Sequence, residues 1–211
     1  MSYSDLRGHW EKQTYGSFRL TDAIRPSLDL AILPQQGYRK EQFEDAKHSL
    51  KTGALTIAVS AERLFDLFLD LLEPLGEMVN VVMESSHDLE GGEQVDWARE
   101  HVDLPVLMSH MCDYEDLLMN DGCSGIAVLG LEEMLEVQFD EHKLLYVYAE
   151  DLEPFERILQ EHGIARNDNL PLLTEAEHLH STDERHRDAF EQLCYRLGVL
   201  EPTEWATFED F

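Results

Sequence analysis

Residues 55–83 read LTIAVSAERLFDLFLDLLEPLGEMVNVVM, and the division of this stretch decides the fold. Its first five residues are a continuous apolar run, the pattern of a strand covered on both faces. Ser60 then stands where a helix N-cap is expected. The apolar residues that follow recur at helical spacing until Pro74 and Gly76 stop them. Met78 to Met83 is apolar again and suits a second strand. Strand, helix and strand within about thirty residues is the signature of a βαβ unit, so residues 55–59 and 78–83 are expected side by side and parallel.

Working upstream, Leu28 to Leu33 reads as a short strand between Pro26 and Pro34. A helix is expected from about Lys40 to Lys51, ended by Gly53. Downstream, SSHDLEGGEQVDW (85–97) reads as a loop around Gly91 and Gly92. Asp103 caps a helix with Pro105 in its first turn, and Leu104, Leu107, Met108, Met111, Tyr114 and Leu118 carry its period. Residues 126–131, 134–139 and 143–149 form three strands joined by tight turns, which forces antiparallel pairing. A helix runs from Asp151 to His162, residues 164–180 are irregular, and Ser181 with Glu184 makes a capping box for a last helix ending at Gly198. The expected class is α/β, with α+β as the alternative: a mixed sheet with an early βαβ unit, a late antiparallel meander, and helices packed on it. The expected organisation is an N-terminal arm (1–27), a main domain (28–200) and an acidic aromatic tail (201–211).

The formal net charge is −28 over 211 residues. Charge of that sign opposes binding to nucleic acid, which needs Lys and Arg at phosphates, and to anionic membrane surfaces. The charge is uneven, because four of the five lysines (Lys12, Lys40, Lys47, Lys51) lie in the nearly neutral first 53 residues. An N-terminal stretch laid on the acidic body fits this, with Trp10, Tyr15, Phe18 and Tyr38 as apolar contacts. The acidity reads as a solvated surface, as a face for a basic protein partner, or as a mimic of DNA. Cys112, Cys123 and Cys194 show no C-x-x-C spacing and suit a reducing compartment. MSYSDLRGHW lacks an apolar signal core, and no run approaches a membrane span, so a cytoplasmic location is expected.

Glu62, Asp66, Asp70 and Glu73 line one face of the first helix, opposite its apolar stripe, and read as its solvated side. His178, His180 and His186 cluster near a helix start with Glu175, Glu177, Asp183 and Glu184 nearby. His178 and His180 could both reach one ion if their segment is extended, but no H-E-x-x-H appears and surface histidines in a polar connector are the commoner case. No metal and no cofactor is therefore assigned. Asp121-Gly122-Cys123-Ser124-Gly125 joins a helix end to a strand, the wrong order for a phosphate loop, and Cys123 makes a poor nucleophile beside Asp121. Ser60, Glu84, Ser85, His87 and Asp88 fall at the carboxyl ends of the two expected parallel strands, where ligands settle in open sheets. A serine, a histidine and an acid there support proton transfer. Trp205, Phe208 and Phe211 recur every third residue in the tail and suit either folding back over the body's own core or docking on another protein. The leading expectation is a non-catalytic protein-interaction or regulatory module, binding a protein partner or itself, with a small enzyme or ligand-binding domain at the Ser60–His87 edge as the alternative.

Overall fold

A computed structural model describes residues 8–45, 50–87, 95–131 and 134–199. The α/β class holds: helices pack against a seven-stranded sheet. Its strands are β4 (Gly37–Asp45), β5 (Leu50–Ala58), β6 (Met78–Ser85), β7 (Val95–Asp103), β8 (Ser124–Gly130), β9 (Leu135–Phe139) and β10 (Leu145–Ala149), in the order β4-β5-β10-β9-β8-β6-β7. Short strands β1 (Thr14–Tyr15), β2 (Phe18–Arg19), β3 (Ile24–Pro26) and β11 (His178–His180) form two further pairs, β1 with β2 and β3 with β11.

The expected pairing of residues 55–59 with 78–83 is overturned. Every neighbour in the large sheet is antiparallel, and the β8-β9-β10 meander lies between β5 and β6. Four reversals leave β5 and β6 pointing the same way, so their carboxyl ends share an edge of the sheet without touching. The connection is α1 (Ala61–Leu72) with a 3-10 turn, Glu73–Leu75. Four strand spacings are roughly 19 Å, and a helix of 12 residues rises roughly 18 Å. The crossover is long enough to admit the meander, which the local sequence does not reveal.

Other boundaries also differ. The helix expected at 40–51 is the β4–β5 hairpin, with Gly37 opposite Ala58. Residues 28–33 make turns, not a strand, with Leu28 and Leu33 exposed. The 85–97 loop contains the start of β7. The helix expected through 104–118 breaks at Tyr114 into α2 (Leu104–Asp113) and α3 (Glu115–Asn120). The irregular 164–180 segment contains β11. The last helices are α4 (Glu153–Glu161) and α5 (Glu184–Leu197), and Asp183, not Ser181, caps α5 by accepting from the His186 amide. Asp103 caps α2 as expected, accepting from the Val106 amide.

Helices α1 to α5 each contribute to one core against one face of the sheet. Leu64, Leu67, Phe68 and Leu71 of α1 are buried on Phe139 and its neighbours, with Phe68 and Phe139 edge to face at 5.1 Å. Glu62 and Asp66 on α1 and Glu73 in the turn after it stay exposed, while Asp70 meets His162 at 2.6 Å. The N-terminal strands bury Tyr15, Phe18, Leu20 and Ile24 with Leu173. Ser60 holds them to the body, because its hydroxyl accepts from the Arg19 amide and donates to Glu62. Among the described residues no helix is long and apolar enough to cross a membrane.

Candidate functional site: the polar edge of the sheet

The carboxyl ends of β5, β9 and β6 and the amino ends of β10, β8 and β7 make one edge of the sheet. Register explains what gathers there. Ser85 pairs with Ser124, and the Ser86 amide donates to the Cys123 carbonyl at 2.9 Å, so the residue after Ser86 meets the residues just before β8. His87 thereby lies on Asp121, its Nε2 3.0 Å from Oδ2, with side chains 4% and 0% exposed. Ser85 Oγ lies 2.7 Å from His87 Nδ1.

Burial alone works to raise the Asp121 carboxyl, but contacts from His87, Thr182 and Ser124 outweigh it and hold it below its ordinary value. Both carboxylate oxygens and His87 Nε2 are nonetheless buried without a well-formed hydrogen bond. An ionised carboxylate only accepts, so Nε2 carries the proton and Nδ1 offers its lone pair to the Ser85 hydroxyl.

Ser85 and His87 line a groove of about 390 Å³ whose walls include Trp97, Phe190, Cys194, Tyr195, Arg187 and Glu191, with Asp121 buried behind His87. Phe190 stands edge to face with both His87 (5.8 Å) and Trp97 (5.3 Å). Burial pushes the Cys194 thiol up to about 12, which keeps it neutral and unreactive. The groove is of ligand size and mostly apolar, with convergent polar groups at one place.

Beside it lies a second polar group. The turn Asp140-Glu141-His142-Lys143 joins β9 to β10, and Asp140 fixes it by accepting from the Leu144 amide at 2.8 Å. Lys143 turns inward and donates to the Ser124 carbonyl at 3.0 Å; burial lowers its amine to about 8 against the pull of Asp121, Asp140 and Glu141. Ser86 Oγ donates to Glu141 at 3.1 Å. His142 faces His178 and His180 across the edge, with ring centroids 5.0 and 4.9 Å away. Gly122 makes this packing possible: a Cβ there would lie 2.4 Å from the Ala23 carbonyl and 2.9 Å from Ser181, so only glycine lets β3 and β11 dock against the turn.

Among the described residues, two sets of side chains have possible ligand atoms within 4.8 Å of one another, His142 with His178 and His180, and His87 with Asp121 and Cys123. Burial, with Asp121 and Glu141 adding to it, raises the Cys123 thiol.

Of the residues singled out from sequence, Ser85 and His87 come together. Ser60 lies on the same edge but with three strands in between, engaged with Arg19 and Glu62. Glu84 reaches over Gly125 to Gln138 on the other face, and burial raises its carboxyl to about 7. Asp88, Trp205, Phe208 and Phe211 lie outside the described residues. Asp121, Lys143 and His142 were missed as site residues. The signal for Asp121 was the β6–β8 pairing, obscured by pairing β6 with β5. Comparison with protein-family models, curated proteins and solved structures gives no match.

Proposed function

We propose that the chain is a small enzyme or ligand-binding domain that works in the groove over Ser85, His87 and Asp121. The observation that carries this reading is the buried 3.0 Å contact between His87 and Asp121 at a groove of ligand size. Desolvated titratable groups held together at a concave place are the usual mark of a working site. In this reading His87 transfers the proton, Asp121 fixes its tautomer and stabilises its protonated form, and the Ser85 hydroxyl passes a proton to Nδ1. Trp97 and Phe190 hold a planar or apolar part of the ligand, and Arg187 adds positive charge to the wall.

A thermal-shift screen of small molecules with planar apolar groups tests this. A ligand at a hundred times its Kd stabilises the fold by about 2.7 kcal/mol. Hits are expected whose shift is lost in Trp97→Ala and in His87→Gln. A screen without hits, or hits indifferent to both substitutions, contradicts the reading.

Association with itself or with a basic protein partner is the second reading, favoured by the net charge of −28 and by Tyr195, 74% exposed at the groove wall. The same charge supports setting nucleic acid aside as a partner. Three free cysteines, one of them exposed, suit a reducing, cytoplasmic setting.

A further inference from the structure

We propose that His142, His178 and His180 form a site for one divalent transition-metal ion of the zinc type. This goes beyond the groove over His87 and stands without it.

The placement follows from the backbone. β11 is extended, so His178 and His180, two residues apart, project to the same side. Its antiparallel pairing with β3 sets His178 opposite Pro26 and His180 opposite Ile24. The tight approach at Gly122 then brings β11 against the edge where His142 sits in the β9–β10 turn. The three ring centroids lie 4.9, 5.0 and 5.1 Å apart, a nearly equilateral triangle.

Hydrogen bonding prepares all three rings in the same way. His142 Nδ1 lies 2.8 Å from an Asp140 carboxylate oxygen, His178 Nδ1 lies 2.8 Å from the Ala176 carbonyl, and His180 Nδ1 meets the Gly122 carbonyl. Carbonyl and carboxylate oxygens only accept, so each Nδ1 carries a proton, and the neutral form of each ring keeps its lone pair on Nε2. That is the tautomer a metal-ligating histidine needs, and an oxygen behind the ring is the usual support. Three histidines placed independently on a surface have no reason to share one tautomer while each offers a ring nitrogen within 4.8 Å of the others'. The rings are half-buried, reachable by an ion from solvent. Asp140 and Glu141 add negative charge nearby, while Lys143 directs its amine away to the Ser124 carbonyl.

Imidazole ligands suit zinc, copper or nickel, whereas calcium and magnesium take oxygen. Three protein ligands leave a further position for water or a bound molecule, the arrangement of catalytic rather than structural zinc.

The test is cobalt(II) absorption spectroscopy and competitive zinc titration on the full chain after chelator treatment. One equivalent of cobalt is expected to give the intense visible bands of tetrahedral nitrogen coordination, displaced by zinc. His142→Ala, His178→Ala and His180→Ala should each weaken zinc binding by more than Asp140→Asn, which should cost about tenfold. His87→Gln should leave it unchanged, which separates this site from the groove. Absent cobalt bands, zinc affinity indifferent to the three histidines, or zinc binding lost in His87→Gln would overturn the proposal. Should an alanine variant fail to fold by circular dichroism, the cobalt spectrum of the native chain decides alone: weak octahedral bands overturn the proposal and tetrahedral bands support it.

Discussion

His87 and Asp121, brought together by the pairing of β6 with β8, meet at 3.0 Å with the carboxylate wholly buried. Removing the acid takes away the carboxylate 3.0 Å from His87 Nε2, and loss of such a contact to a buried group costs about 1–3 kcal/mol. Asp121→Ala is therefore expected to lower unfolding free energy by about that amount in urea denaturation. The Asp121 carboxyl is held below its ordinary 3.8 in the fold. Its contribution is thus complete above about pH 4 and lost as pH falls through the lower folded value. The gap between wild type and variant should narrow in that acid range and stay constant near neutrality.

Glu84 behaves with the opposite sign. Burial raises its carboxyl to about 7, against the hydrogen bond from Gln138 and with help from Asp96 and Glu136. The folded chain then keeps a proton that the unfolded chain has released, so stability falls as pH rises from about 4.5 to about 7. Glu84→Gln keeps an amide for Gln138 and removes the ionisation. It should raise the melting temperature above pH 7 and have little effect near pH 4.

Ser60 is a structural tie in the fold. Its hydroxyl, in a residue 3% exposed, satisfies the Arg19 amide at 2.9 Å. Ser60→Ala should cost about 1–3 kcal/mol and make the N-terminal strands the first part of the chain cut in limited proteolysis. A cost near zero would remove this role.

Gly122 sits where three segments converge. Gly122→Ala places a methyl 2.4 Å from the Ala23 carbonyl, backbone that cannot easily move. A loss of about 1–3 kcal/mol or more is expected, together with faster amide exchange at Ser181, whose N–H donates to Ala23.

The parts of the fold legible in sequence are those with a buried face. The apolar stripe of α1, the alternation of Leu135, Val137 and Phe139, and the Asp103 cap all report local physics that the tertiary structure keeps. The two strands misread, β4 (GYRKEQFED) and β7 (VDWAREHVD), are the two edges of the sheet. Edge strands carry charges that discourage pairing with other chains, and those charges erase the alternation by which a strand is recognised. The site was legible in the same uneven way. Ser85 and His87 were found because a strand end is a local feature. Asp121 and His142 come from other strands and turns, and only the order of the meander places them beside Ser85, His87 and β11.

The most direct measurement is heteronuclear NMR of the full chain, following the Trp97 indole and the His87 ring nitrogens while planar small molecules are added. The same compounds should shift both signals and saturate together, with the His87 proton on Nε2 at the start. Compounds that move neither signal, or a resting proton on Nδ1, would contradict the assignment of this groove as the working site.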